Sequence, residues 1–123
     1  MNRSTNGTYA NFLILKDILE INFHPEITIN QSMLNQVVME KKAFMLTNDP
    51  MPELYDVSQT EGIILGETKQ LQDLDLDIAF FTADKEFESL DKMHRMLTTH
   101  TDDPYVFSEK DKAREWLIRE RDT

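Results

Sequence analysis

Leu76-Asp77-Ile78-Ala79-Phe80-Phe81 is the stretch on which the reading of this chain turns. It is short and almost continuously apolar, the pattern of a strand buried on both faces of a parallel sheet. Just beyond it, Asp84 is placed to cap a helix whose Phe87, Leu90, His94 and Leu97 recur at spacings of three and four. A buried strand feeding an amphipathic helix is half of a β-α-β unit, so the flanking sequence should alternate in the same way.

It does so in both directions. Upstream, Glu53-Leu-Tyr-Asp-Val-Ser58 reads as a strand, and Ser58 or Thr60 can cap a helix holding Ile63, Ile64 and Leu71, with Gly62 and Gly66 inside it. Before a turn cluster at Asn48–Pro52, Asn30 can cap a helix carrying Met33, Leu34, Val37 and Val38. That helix runs to about Lys42, and its two closing lysines suit the negative pole of the dipole. Phe12–Lys16 and Ile18–Phe23, separated by Asp17 and ended by His24-Pro25, read as a β-hairpin. Downstream, Thr101-Asp-Asp-Pro104 breaks the helix and Tyr105-Val-Phe107 is a short strand. Ser108 with Asp111 resembles a capping box for a last helix with Ala113, Trp116 and Leu117 on its apolar face and Arg119 and Arg121 at its end. The predicted order is β-β-α-β-α-β-α-β-α. It specifies an α/β fold with a mixed, mainly parallel sheet, one antiparallel edge and helices packed on it. Residues 1–11 are polar and expected to be flexible, and residues 12–121 to form a single domain.

Composition narrows the function. A chain of 123 residues with 40% apolar content is one domain's length, able to bury roughly two-thirds of its unfolded surface without staples. The absence of cysteine excludes disulfides, a thiol nucleophile, a zinc–thiolate site and an iron–sulfur cluster. Thirteen basic against 23 acidic residues give a net charge of −10, which repels phosphate backbones and anionic lipid, so nucleic acid is not an expected partner. No window approaches the ~18 apolar residues of a membrane span and the start has no signal-like apolar run, so a soluble cytoplasmic protein without membrane insertion is expected.

The familiar chemical signatures are missing. Asp73, Asp75 and Asp77 alternate like a calcium loop, but Ile78 and Asp84 stand where glycine and bidentate glutamate belong, so they read as solvated charge. His94 and His100 lie on different helical faces and cannot chelate together locally. His94 falls on an apolar stripe and reads as a packed side chain. No serine sits in a nucleophile elbow, and no glycine-rich nucleotide loop occurs. Neither a metal nor a cofactor is therefore expected. The methionines at 33, 39, 45, 93 and 96 and Trp116 read as core. One segment differs in kind. Asp56-Val-Ser58-Gln-Thr60-Glu61-Gly62 runs off a strand's carboxyl end, where sites gather in α/β sheets. Ser58 and Thr60 read there either as helix caps or as hydroxyls placed to receive a phosphate.

The order of elements resembles the STAS fold of anti-sigma-factor antagonists and of the cytoplasmic ends of sulfate transporters, and within it small bacterial SpoIIAA-like domains. The likeness spans about Phe12 to Arg119. It is carried by Leu54–Ser58, which is similar to the family's Asp-Leu-Ser strand end, by Ile78–Phe81, and by Tyr105–Leu117 with its strand, acidic cap and Trp-Leu close. The resemblance implies a non-catalytic module that binds another protein and is switched by phosphorylation. The family's phosphoacceptor lies in an apolar-Asp-Ser-Ser-Gly motif at the second helix. Here Glu61-Gly62-Ile63-Ile64-Leu65-Gly66 has no serine pair, so only Asp56 and Ser58 carry over. The expected function is a protein-interaction module whose surface includes Asp56, Ser58, Thr60 and Glu61. The alternative is a small apolar ligand- or lipid-binding module of CRAL-TRIO type, with a pocket under the Phe87/Leu90/Leu97 helix. A small enzyme would need a histidine in a cleft beside a carboxylate, which no spacing favours. An open sheet edge leaves room for a homodimer.

Overall fold

The computed structural model describes residues 3–66, 71, 76–83, 87–98 and 105–121. The buried run is strand β7 (Ile78–Phe81). The strands before it are β1 (Arg3–Asn6), β2 (Ala10–Leu15), β3 (Ile18–Phe23), β4 (Thr28–Ile29), β5 (Glu53–Asp56) and β6 (Gly62–Ile63), and β8 (Val106–Phe107) follows it. The helices are α1 (Gln31–Phe44), α2 (Phe87–Leu97) and α3 (Lys110–Arg121). Six strands form one sheet in the order β1-β2-β3-β5-β7-β8, while β4 and β6 make a separate two-stranded parallel sheet. The β1–β2 and β2–β3 pairs are antiparallel, and β3–β5, β5–β7 and β7–β8 are parallel. The mixed α/β architecture expected from the sequence is present.

Alternation along the strands divides the core in two. Leu19, Ile21, Tyr55, Ile78 and Phe80 belong to a cluster shared with Leu34, Val37 and Val38 of α1 and Leu90, Met93, Met96 and Leu97 of α2. Their neighbours Ile18, Leu54 and Ala79 pack with Ala113 and Leu117 of α3. Helix α3 thus covers one face of the sheet, while α1 and α2 cover the other. Trp116 lies half-buried at the edge of the smaller cluster, its ring 5.7 Å from that of Phe107. Met93 and Met96 are core as expected, whereas Met39 is exposed. His94 is buried and stacks on Tyr105 at 4.2 Å, in keeping with its place on the apolar stripe. Asn30 caps α1 as predicted, its Oδ1 accepting from Met33 N at 2.9 Å. Helix α3, however, begins at Lys110, with Ala113 N donating to Glu109 O, so Ser108 is not its cap.

Two expectations are corrected. Arg3–Asn6 is not a loose end: it is an edge strand paired with β2, and Arg3 Nη2 reaches Phe44 O at 2.6 Å while its guanidinium lies over the Phe44 ring. The helix expected from Ser58 or Thr60 through Ile63 and Ile64 does not form. Gly62–Ile63 pairs as a strand with Thr28–Ile29, flanked by Glu61 N to Ile27 O and Ile64 N to Ile29 O. Two β-branched residues between glycines favour that extended path, and Ile63 buries its side chain in the larger core. Asp73, Asp75, Asp84, His100 and Thr101–Pro104, which figured in the expected acidic loop, cap, histidine pair and helix break, lie outside the described residues.

Gly7 turns the chain between β1 and β2. A methyl group there would stand 2.5 Å from Ala10 O, 2.7 Å from Glu40 Oε1 and 2.9 Å from the Phe12 ring. Gly7→Ala should therefore lower stability by about 1–3 kcal/mol, read as a lower urea midpoint at constant slope, and an unmoved midpoint would mean that the turn yields freely.

On the α1 face, Lys41 Nζ meets Glu53 Oε2 at 2.8 Å with both side chains only 4% exposed, and Tyr55 donates its hydroxyl to Glu53 Oε1 at 2.8 Å. Burial, then the charge of Glu53 and the hydrogen bond to it, push the Tyr55 phenol well above its ordinary range, so it remains a donor. Lys41→Met strands a buried carboxylate and should cost about 3–5 kcal/mol in chemical denaturation. Adding Glu53→Gln, which keeps an acceptor for Tyr55, should recover much of that loss; a double variant no better than the single one would contradict the charge argument.

Candidate functional site

Strand β5 delivers the candidate residues. Its alternation points Glu53 and Tyr55 to the α1 face, and Leu54 and Asp56 to the α3 face. Beyond Asp56, Val57 N donates to Phe81 O, and the chain bends away from the sheet. The bend brings Ser58 back over Asp56, whose Oδ1 accepts from Ser58 N at 3.0 Å and from Ser58 Oγ at 2.6 Å. Asp56 Oδ2 accepts from Lys110 Nζ at 2.9 Å. The parallel register sets Asn22 beside Asp56, and the same lysine donates to Asn22 Oδ1 at 2.8 Å. One turn along α3, Arg114 holds the buried Glu20 through Nε at 2.7 Å and Nη2 at 3.0 Å, while Lys110 lies 3.6 Å from Glu20 Oε1.

Of the residues singled out in the sequence, Asp56 and Ser58 meet directly. Thr60 turns back on its own chain, its hydroxyl donating to Val57 O at 2.8 Å, and so is neither a helix cap nor a partner of Asp56. Glu61 is exposed and anchored through its backbone to Ile27. Ser58, Thr60 and Glu61, but not Asp56, line a pocket of about 40 Å³ with Val57, Ile63 and Leu90 among its other walls, room for a water or two. Absent from the sequence reading were Lys110, Asn22, Glu20 and Arg114. Their signal was an Asn two residues after a Glu in an apolar strand, and two basic residues four apart on a helix.

The electrostatics of Asp56 follow from these contacts. Burial alone would raise its carboxyl. The bonds from the Ser58 hydroxyl, Lys110 and the Ser58 N–H, with the charge of Lys110, outweigh burial and hold it below its ordinary value. The Ser58 hydroxyl is thereby fixed as a donor to an ionised carboxylate. A dianionic phosphate on Ser58 would lose that donor and stand beside a like charge.

No family model matches the chain, and no curated protein matches it. Among solved structures, an uncharacterised protein of the DUF3478 family with a SpoIIAA-like fold, from Shewanella loihica PV-4, is similar to it. The two are 12% identical with a TM-score of 0.47, and the alignment covers 95% of this chain and 92% of the other. A likeness of this size assigns no role.

A depressed folded-state pKa means that Asp56 stabilises the fold above the ordinary carboxylate range, and that this contribution disappears as pH falls through the folded value. Asp56→Asn should cost about 1–2 kcal/mol near neutral pH, because charge-assisted bonds at a half-open site are lost. The gap to wild type should narrow as pH falls below the ordinary carboxylate range and through the lower folded value, so it should be smaller in acid than near neutral pH. Urea titrations in acid and near neutral pH check this, and a gap independent of pH would exclude the charge as its cause.

Proposed function

We propose that this chain is a non-catalytic, cytoplasmic protein-interaction module of STAS-like character that presents the Asp56–Glu61 turn to a partner protein. The observation that carries the reading is the Ser58–Asp56–Lys110 chain of bonds. It ties an exposed turn at the carboxyl end of the central strand to the first residue of α3. A surface of this kind has a fixed shape without needing a cavity, and the adjoining pocket of about 40 Å³ is too small for a substrate. Gln59 and Glu61 are exposed along the turn, and Ile64 beyond them is 70% exposed, an apolar anchor beside acidic and amide groups. Charge added at Ser58 repels Asp56 and loosens the bond to Lys110, so the same turn can answer to phosphorylation.

The test is affinity enrichment from the native host with wild type, Ser58→Asp/Thr60→Asp and Ile64→Glu as baits, quantified by mass spectrometry. A specific partner should fall at least roughly tenfold with either bait, as expected when a desolvated anchor or a fixed turn is lost. Circular dichroism establishes that the baits are folded. A partner retained equally by all three would place the contact surface elsewhere.

A further inference from the structure

At the opposite end of the sheet from Asp56, the carboxyl end of α1, the loop after it, the start of β5 and the segment leading into β7 line a half-open pocket of about 160 Å³. Its apolar wall is Met45, Pro50, Met51 and Leu76. The Lys41–Glu53 pair forms part of the remaining wall, and Lys42 and Asn48 complete it. Three properties combine here. The volume is that of a single ring, about the ~150 Å³ that accepts benzene in a closed apolar cavity, here open to solvent on one side. Methionine sulfurs adapt to and favour aromatic edges. Asn48 Nδ2 is buried without a hydrogen-bond partner, a donor left over in the wall. Asn χ2 is a soft torsion, so the amide can turn to the pocket without backbone movement.

Charge chooses among ring-sized ligands. Lys41 and Lys42 against Glu53 leave the wall with one net positive charge on a chain whose total is −10. Lys41 and Tyr55 already engage the two oxygens of Glu53, so its negative charge is answered within the wall. Lys42 is exposed at the rim. We infer that this pocket binds a small monocarboxylate with a body of about one six-membered ring, its carboxylate received by the Asn48 amide and Lys42. The site is separate from the Asp56 turn, so the partner-binding reading and this one stand or fall independently.

The probe is benzoate, followed by ¹H–¹⁵N NMR titration of the full chain, with benzamide as the neutral control. Benzoate should shift the amides of Met45, Asn48 and Met51 saturably, with a Kd on the order of 1 mM or tighter. Lys42→Gln should weaken benzoate about threefold and leave benzamide unchanged, since the charge is at the rim. Asn48→Asp should weaken benzoate at least about tenfold, because a carboxylate then faces a carboxylate. The dispersed spectra of the variants report their folding directly, and the surface change Lys42→Gln stands as the test if Asn48→Asp does not fold. Shifts that fail to saturate by about 20 mM, or that fall outside this pocket, would overturn the site, because a ring-sized ligand in a matching cavity should bind better than that. Benzamide binding as tightly as benzoate, or benzoate binding undiminished in Asn48→Asp, would overturn the carboxylate assignment.

Discussion

The carboxylate of Glu20, 1% exposed in the middle of a six-stranded sheet, is the group to which much of this fold conforms. Removing such a charge from water costs several kcal/mol, about as much as a buried pair can return, so its partners must be close and fixed. They come from one helix: Arg114 makes two bonds to it, and Lys110, four residues earlier, lies alongside. That requirement holds α3 over this face of the sheet, with Ala113 and Leu117 on Ile18, Leu54 and Ala79. The ammonium of Lys110 extends the arrangement to Asn22 and Asp56, and through Asp56 to Ser58. The docking of the last helix and the shape of the candidate turn are therefore one electrostatic structure.

The elements legible in the sequence were those whose signal is local and periodic. The apolar run of β7, the capped helix α1 and the β2–β3 hairpin each declare themselves within a dozen residues or so. Strand β1 could not be read this way. Arg3–Asn6 is exposed on every side chain and owes its conformation to backbone pairing with β2, which leaves no pattern in the sequence. The turn after β5 failed for a different reason. Ser and Thr favour helix caps and tight turns for the same reason, their ability to bond nearby backbone groups. Only the pairing of Ile63 with Ile29 decides between the two, and it depends on a strand more than thirty residues away.

The candidate site was half legible on the same logic. Asp56 and Ser58 are neighbours along the chain, so their contact could be anticipated from the sequence alone. Glu20 and Asn22 show a two-residue period and Lys110 and Arg114 a four-residue one, each the mark of a shared face. That these faces oppose each other follows from where α3 crosses the sheet, and local periodicity carries no information about that crossing.

Strand β5 places a lysine–carboxylate pair on each side of the sheet, and exposure separates what the two can do. Lys41 and Glu53 are 4% exposed and share their hydrogen bonds with Tyr55, so any change in one leaves the other stranded. Lys110 and Asp56 are 25% and 16% exposed, and Asp56 gives its other oxygen to a side chain in an exposed turn. Water can replace either partner there at modest cost, so the bond can open and close without unfolding the domain. A responsive surface has to be built from interactions of this intermediate strength. Burial alone would make the pair inert, and full exposure would leave it unable to hold the turn.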